Sequence, residues 1–266
     1  MASTRLHITP GSGSGNKWTV STWVKMGITG TNEILFSGDT GGSFEFRTYV
    51  EMQSSGVIKF AGVDNGNDNG YVTTHGMFRD PNAWYHLVFV WDDANASSTD
   101  KMKMYINGER MQGTGGIAYL APTTQSRWNT ANNNEIGARH SGADRFFTGV
   151  MAHFHNCDGF AYQASDFGET DSTSGAWIAK TSPSVSYGAN GFFLKFASGA
   201  FGTDSSGEGN DLTVVGTMTT TKDTPDNNFC TLNELDNYYA GATLSNGNNT
   251  MVSNASNSAY LRGSMS

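Results

Sequence analysis

Hydrophobic and polar positions alternate along several short segments of this chain. Most apolar residues of WTVSTWVKM (18–26) and of FEFRTYVEM (44–52) fall on every second position. A period of two places successive side chains on opposite faces of a strand, so both segments are predicted to be β-strands with one face on a core. The segment WYHLVFVW (84–91) is apolar on both faces, which is typical of a central strand.

Turn residues separate these segments. Asn107-Gly108 lies between two strand-like runs in KMKMYINGERM (101–111) and predicts a two-residue hairpin, because a type I′ turn needs positive φ at both positions. Helix is scarce: only YQASDFGE (162–169) predicts one or two helical turns, with Ser165 or Asp166 near the cap. Further strands are predicted at 57–61, 70–74, 134–138, 148–155, 191–197 and 212–215.

Many short strands with turns between them predict an all-β sandwich or barrel. Residues 1–216 contain all of these strands and are predicted to form one domain. From residue 217 the chain becomes polar and weakly periodic, so 217–266 is predicted to be a linker or an extended arm that docks on another surface. The composition agrees, since 33 glycines and only 15% charged residues argue against long exposed helices.

The charge and the cysteine content restrict the partners. A net charge of −8 argues against nucleic acid, because phosphate binding needs clustered Lys and Arg. No apolar run approaches the roughly 20 residues that span a bilayer, so membrane insertion is not expected. The start, MASTRLHITPGSG, lacks the basic-then-apolar order of a signal peptide, so we expect synthesis in a cytosol. Cys157 and Cys230 are predicted to be buried free thiols, with a single disulfide as the alternative.

Four motifs follow one another in a characteristic order. WTVSTWVKM is followed by ILFSGD (34–39), AWYHLVFVWD (83–92) and KMYINGERM (103–111), and EIGARHSGADRFFTGVMAHFHNCDGF then begins the segment 135–180. This order resembles the laminin-G-like branch of the concanavalin A-like lectin/glucanase fold, whose closing strands are similar to the last segment. The resemblance implies a jelly-roll sandwich of two antiparallel sheets with a polar C-terminal extension.

The order continues with YGANGFFLKFA (187–197), GTDSSGEGNDLTVVG (202–216) and DTPDNNFCTLN (223–233). As a whole it is similar to large virion proteins of marine bacteriophages, in which such a module precedes a second β-sandwich. The resemblance implies a structural protein of the virion: a fibre, a capsid decoration or a tail-associated part. Such a protein is made in the host cytoplasm and exposed on the particle surface for host attachment. The resemblance also implies that the partners are other virion proteins and host-surface glycans, and that the chain forms a homo-oligomer of three or more copies.

The stretch GTDSSGEGNDLTVVG resembles the D-S-S-G-N-G-N motif that in many relatives precedes the other strands. Here it follows them, which implies a permuted module whose last strand takes the place of the first. Asp204, Asn210 and Asp211 are candidate calcium ligands, because closely spaced oxygen donors suit Ca²⁺. Glu208 stands where the motif has Asn. The alternative is a turn whose Asx side chains bind their own backbone.

Four aromatic residues are candidates for stacking on sugar rings: Trp23, Tyr71, Trp91 and Trp128. They would do so if they line an exposed face of a sheet, and the alternative is that they belong to the core. These four aromatic residues support a second hypothesis, that the chain is a carbohydrate-binding lectin assisted by calcium.

Two further clusters offer metal-ligating side chains. His153 and His155 are two residues apart and would share one face of a strand, although packed or hydrogen-bonded histidines are the favoured interpretation. Asp64 and Asp68 lie in DNGNDNG (64–70), where a hairpin turn is favoured over a cation site.

Glycosidases of this fold carry an E-x-D-x-x-E strand whose outer carboxylates flank the scissile bond. Glu234-Leu235-Asp236 begins this pattern, but Tyr239 stands where the last Glu belongs. The sequence also has no G-x-S-x-G elbow of a serine hydrolase. We therefore expect no enzyme activity and assign no catalytic residue, and a glycoside hydrolase is the least favoured of the three functions.

Overall fold

The computed structural model describes residues 4–27, 30–40, 46–111, 117–118, 125–139, 144–227, 231–237, 242–245, 250–253 and 261–264. Within these ranges the chain is all β apart from two short 3-10 helices, Ser98–Asp100 and Ala164–Asp166. None of the helices in the described ranges is long and apolar enough to span a bilayer.

The strands from the N-terminus to residue 215 are short. In chain order they are β1 (Arg5–Ile8), β2 (Lys17–Lys25), β3 (Glu33–Asp39), β4 (Arg47–Met52), β5 (Ile58–Asp64), β6 (Asn67–Thr73), β7 (Tyr85–Asp92), β8 (Met102–Ile106), β9 (Glu109–Arg110), β10 (Ile117–Ala118), β11 (Asn133–Ile136), β12 (Val150–Asp158), β13 (Gly168–Thr170), β14 (Trp177–Ala179), β15 (Phe192–Leu194) and β16 (Thr213–Val215).

Two large antiparallel sheets form a sandwich. One has eight strands in the order β10-β6-β5-β4-β3-β11-β1-β16, and the other has six in the order β15-β12-β2-β7-β8-β9. Strands β13 and β14 pair separately. This arrangement confirms the predicted all-β jelly-roll sandwich of two antiparallel sheets. The predicted hairpin turn is confirmed as well: Asn107 and Gly108 have φ of 48° and 86° in the two-residue turn between β8 and β9.

The core lies between the two sheets and is built largely from aromatic rings. Trp18 and Trp91 lie opposite each other on β2 and β7, and their rings stack with centroids 6.1 Å apart. Aromatic side chains each bury on the order of 150–250 Å² and dominate the energetics of such cores. The fully buried aromatic residues are Trp18, Phe36, Phe60, Phe89, Trp91, Trp128, Phe154 and Phe192.

Strand β16 closes the eight-stranded sheet from the C-terminal side. It pairs antiparallel with β1, placing Leu6 opposite Val214. Strand β1 is in turn hydrogen-bonded to β11, so β16 is the edge strand. The strand predicted at 212–215 is therefore confirmed as β16.

Residues 159–188 form a third layer over the outer face of the six-stranded sheet. Val88 and Val90 project from that face and pack against Ala164 and Phe167 of the layer. The helix predicted at 162–169 is one turn of 3-10 helix within it, where the amide of Gln163 donates to Asp166 Oδ2 at 2.6 Å. Because of this layer, Val88 and Val90 on the outer face of the sheet are buried rather than exposed to solvent.

The described residues of the C-terminal part contain four more strands: β17 (Thr231–Asn237), β18 (Thr243–Ser245), β19 (Thr250–Val252) and β20 (Leu261–Ser264). Strand β17 pairs with β20 and β18 pairs with β19, both antiparallel. Before these strands, the segment 217–227 lies against the sandwich. We call this segment the proximal arm.

Candidate functional site

Asp204 is the first residue of the turn DSSGEGND (204–211), and its side chain connects this turn to β15 by a hydrogen bond. Its Oδ1 accepts hydrogen bonds from the amides of Phe193 at 2.9 Å and Ser206 at 2.8 Å. Its Oδ2 accepts from the amides of Gly209 and Asn210, each at 3.0 Å, and from Ser206 Oγ at 2.8 Å. Burial raises the pKa of the Asp204 carboxyl, but these hydrogen bonds outweigh burial and hold the pKa below its usual value.

The other two candidate calcium ligands are also used within the turn. Asp211 Oδ1 accepts from the amide of Asp204 at 2.7 Å, and Asn210 Nδ2 donates to the carbonyls of Ala189 at 3.0 Å and Gly191 at 2.8 Å. Ca²⁺ takes about six to eight oxygen ligands, whereas both oxygens of Asp204 already accept backbone hydrogens. Among the described residues, no three His, Cys, Asp or Glu are grouped so as to hold a metal. These residues do not fit calcium, and the geometry is that of the Asx turn.

Two of the four aromatic candidates lie in the core. Trp91 is 0% exposed and stacks on Trp18, while Trp128 is 1% exposed and its Nε1 donates to Asn156 Oδ1 at 3.0 Å. A buried ring offers no free face to a sugar. The structure therefore corrects the prediction for Trp91 and Trp128, whose role is packing.

Trp23 is covered by the third layer. It is 4% exposed and stacks on His86 with centroids 4.8 Å apart, and Trp177 stacks on His86 at 6.0 Å. Trp177 Nε1 donates to His86 Nδ1 at 3.0 Å, so the ring proton of His86 is on Nε2 and is donated to Ser21 Oγ at 2.8 Å. Burial, with a smaller contribution from the charge of His153, lowers the pKa of His86 to about 3. Trp23 is therefore part of a buried neutral cluster and not a surface platform.

Tyr71 is half-buried on the eight-stranded sheet and keeps contact with solvent. Lys59 Nζ lies 5.3 Å from the centroid of the Tyr71 ring and 5.9 Å from that of Tyr49, and it pairs with Asp68 Oδ2 at 2.7 Å. Burial lowers the pKa of Lys59, but Asp68 and Tyr49 raise it by a larger amount in sum. We call Tyr49, Lys59, Asp68 and Tyr71 the tyrosine patch.

The acidic loop 64–70 is the predicted hairpin turn. Asn65 and Gly66 have φ of 50° and 76°, and Asp64 is paired with Asn67 across the turn between β5 and β6. Asp68 belongs to the ion pair with Lys59. The hairpin interpretation of this loop is confirmed.

The two histidines of β12 have separate polar partners. The register of β12 against β2 shifts between Ala152 and His155, and His153 has a φ of 50° at this bulge. His155 is buried, its Nδ1 lies 2.8 Å from the hydroxyl of Tyr187, and burial lowers its pKa well below the usual value. His153 Nε2 lies 3.3 Å from Asp226 Oδ2 of the proximal arm. The packed and hydrogen-bonded interpretation fits both residues.

Cys157 is a buried free thiol, and burial raises its pKa. Cys230 lies outside the described residues, as does Tyr239. Glu234 and Asp236 lie on β17, which belongs to neither large sheet.

A buried ion pair joins the proximal arm to the sandwich. Lys25 Nζ at the end of β2 lies 2.5 Å from Asp223 Oδ2, and the side chains are 4% and 2% exposed. Trp84 Nε1 donates to Asp223 Oδ1 at 3.3 Å, and Lys25 Nζ lies 5.5 Å from the centroid of the Trp84 ring. Lys25 and Asp223 were not among the predicted site residues, since no motif connects residues so far apart in the chain.

A cleft of about 690 Å³ opens between the proximal arm and the ends of β2 and β15. Phe147, Phe196 and Phe201 line it from the sandwich, and the arm contributes Met218 and a run of threonines at 219–221. We call it the arm cleft.

The comparison with known families decides the classification. Residues 2–159, more than half of the chain, match the sequence profile of the concanavalin A-like lectin/glucanase superfamily. The chain belongs to this superfamily. No protein of the curated collection matches the chain in sequence.

Solved structures from several organisms are similar to this chain. A Bacteroides ovatus protein proposed to bind carbohydrate has a TM-score of 0.50 at 13% identity, covering 82% of this chain and 58% of that one. A heptameric SAP-like pentraxin from Limulus polyphemus has a TM-score of 0.46 at 18% identity, with 67% and 86% covered. The CBM40 of a Ruminococcus gnavus IT-sialidase has a TM-score of 0.43 at 12% identity, with 62% and 95% covered. At 13% identity, the likeness to the Bacteroides ovatus protein concerns the fold alone.

Proposed function

We propose that this member of the superfamily is a structural protein of a bacteriophage virion that displays its lectin-type sandwich on the particle surface. The observation that carries the proposal is the order of motifs from WTVSTWVKM to DTPDNNFCTLN, which is similar to that of virion proteins. The part that it forms is a fibre, a capsid decoration or a tail-associated protein, and its localisation is the virion after synthesis in the host cytoplasm.

In this proposal the sandwich and the C-terminal part have different tasks. The N-terminal segment and the C-terminal arm assemble with other virion proteins and with further copies of the chain, as a trimer or a larger ring. The buried Lys25–Asp223 pair supports a fixed arm, because a wholly desolvated pair requires a defined geometry. The sandwich then faces outward, where it attaches to glycans on the host surface.

Mass spectrometry of purified particles tests the virion role. Particles banded twice on a density gradient should contain peptides of this chain in a constant ratio to the major capsid protein. A host lysate that contains the chain but no particles, processed in the same way, is the control for co-purification. If the chain stays in the soluble fraction and is absent from the particles, the virion role is wrong.

A second candidate function is that of a carbohydrate-binding lectin, independent of any particle. The lectin-type fold and the accessible ring of Tyr71 favour it. A glycan array probed with and without EDTA tests it: a lectin gives a defined set of positive glycans. Since Asp204, Asn210 and Asp211 do not fit calcium, we expect the same set in EDTA. The least favoured function, glycoside hydrolysis, predicts release of reducing sugar from glucans, and we expect none.

A further inference from the structure

The arm cleft has the dimensions of a ligand site. Its volume of about 690 Å³ lies within the range of roughly 300–1,000 Å³ that is common for small-molecule pockets. Its lining combines half-buried aromatic rings on the sandwich side with hydroxyl groups on the arm side. Both walls belong to one chain, so the cleft exists only where the proximal arm is docked.

Backbone strain accompanies the aromatic wall. Phe196 follows β15 and has a φ of 54°, in the left-handed region that costs an L-residue about 1–2 kcal/mol. Glycine would adopt this conformation freely, yet the position holds a phenylalanine whose side chain lines the cleft. Strain of this kind is concentrated at functional sites, where the surrounding structure holds it in place.

The arm wall is held in position by the surrounding structure. Asp223 is locked by Lys25 and by Trp84 Nε1, and Asp226 lies 3.3 Å from His153 at a second point. In the sequence, Thr219 and Thr220 lie between β16 and these two contacts. Both threonines are exposed and line the arm cleft. Their hydroxyl groups both donate and accept hydrogen bonds.

The residues that line the arm cleft favour one class of ligand over others. A lipid tail would desolvate the threonine hydroxyls without offering them a partner, which costs free energy. A nucleic acid needs several cations, whereas Lys25 is paired with Asp223 and Arg5 with Glu135, leaving Lys195 at the rim. A sugar ring has an apolar C–H face and an edge of hydroxyl groups, and these two surfaces match the two walls.

We propose that the arm cleft binds a hexopyranose residue of a glycan, with its apolar face on Phe196 and Phe201 and its hydroxyl groups on Thr219 and Thr220. The proximal arm is thus one wall of a sugar site and not a linker. This inference rests on the proposed attachment to host glycans and names the residues that carry it.

The experiment uses the full chain and a printed glycan array, followed by titration of the strongest oligosaccharide. Phe201→Ala removes a ring, and we expect affinity to fall about tenfold or more. The double variant Thr219→Val, Thr220→Val keeps the shape and removes two hydroxyl groups, and we expect a loss of about threefold to tenfold. The matched control is Thr213→Val, an exposed threonine on β16, which should keep wild-type affinity. Tyr71→Ala tests the tyrosine patch as the competing site, and thermal unfolding checks that each variant is folded.

The outcomes separate this inference from the proposed function. If Tyr71→Ala abolishes binding while Phe201→Ala and the threonine variant bind as the wild type does, the arm cleft is not the site, and glycan attachment stands at the tyrosine patch. If the wild-type chain binds no glycan on the array, both the glycan attachment and this inference are wrong, while particle mass spectrometry still decides the virion role.

Discussion

Lys25 Nζ lies 2.5 Å from Asp223 Oδ2 in a position where both side chains are at least 96% buried, since they are 4% and 2% exposed. The pair joins the end of a central sandwich strand to the segment that follows the last strand of the eight-stranded sheet. Removing one partner of such a pair leaves an uncompensated buried charge. The docking of the proximal arm therefore depends on this contact.

Asp223→Asn tests this dependence. We expect the substitution to lower the free energy of unfolding by about 3–5 kcal/mol, because it leaves Lys25 buried without its counterion. Urea denaturation measures the change. The exposed counterpart Asp68→Asn, which breaks the pair of Lys59 at 18% and 36% exposure, should cost under about 1 kcal/mol. Equal small effects of both substitutions would show that the arm is not held by the buried pair.

Asp204→Asn tests the Asx turn against a calcium site. The side-chain NH₂ of asparagine would face backbone donors, so we expect a loss of at least about 2 kcal/mol at pH 7. The pKa of Asp204 is lowered in the fold, so its contribution is present above the unfolded pKa of about 3.9 and is lost as the pH falls below it. The difference between the wild type and the variant should therefore shrink below about pH 4.

Asp211→Asn is the control in the same turn. Asp211 Oδ1 accepts one backbone hydrogen bond, from the amide of Asp204, so we expect a smaller loss in the free energy of unfolding than for Asp204→Asn. The melting temperature of the wild type should be the same in millimolar calcium and in EDTA. A clear rise with calcium that disappears in Asp204→Asn would contradict the Asx-turn assignment.

Gly108→Ala tests the packing of the β8–β9 turn. Gly108 has a φ of 86°, and an added Cβ would lie 2.6 Å from the Trp177 ring. Gly66 has a φ of 76° but nothing within 4 Å of the added atom, so Gly66→Ala carries the backbone cost alone. Chemical denaturation should show about 1–2 kcal/mol of loss for Gly66→Ala and about 1–3 kcal/mol more for Gly108→Ala. Equal losses of stability in the two variants would mean that the Trp177 ring moves aside without a cost in free energy.

His86 predicts a pH dependence of stability. Its pKa falls from about 6.5 in the unfolded chain to about 3 in the fold, so the neutral ring stabilises fully above pH 6.5 and progressively less as the pH falls. Each such histidine adds a slope of about 1.4 kcal/mol per pH unit in that window. His86→Phe should reduce the slope between pH 6 and pH 5 by about this amount, whatever its effect on absolute stability. An unchanged slope would contradict the buried neutral state.

The sequence predicted what local rules determine. The turn at Asn107-Gly108 requires positive φ at both positions, and the strand at 212–215 was recognisable from its apolar run. Strand β15 ends at Leu194, earlier than the predicted 197, because Phe196 leaves the extended region. Such a change of backbone conformation has no signature in a hydrophobic pattern.

The sequence did not predict which face of a sheet another layer covers. Alternation correctly separates Trp18 from Trp23 on β2, but nothing local shows that residues 159–188 lie over Trp23. The sequence did not predict the Lys25–Asp223 pair for the same reason, since a tertiary contact between distant segments leaves no local pattern. The residues that line the arm cleft were therefore not among the predicted site residues, because a cleft between two distant segments leaves no local pattern.

A cryo-electron microscopy reconstruction of purified particles shows whether the sandwich is displayed on the particle. We expect density for the two-sheet sandwich on the outer surface, repeated around a symmetry axis, with the C-terminal arm directed toward the particle body and the arm cleft open to solvent. Density for the sandwich buried inside the shell, or particles without such density, would contradict it.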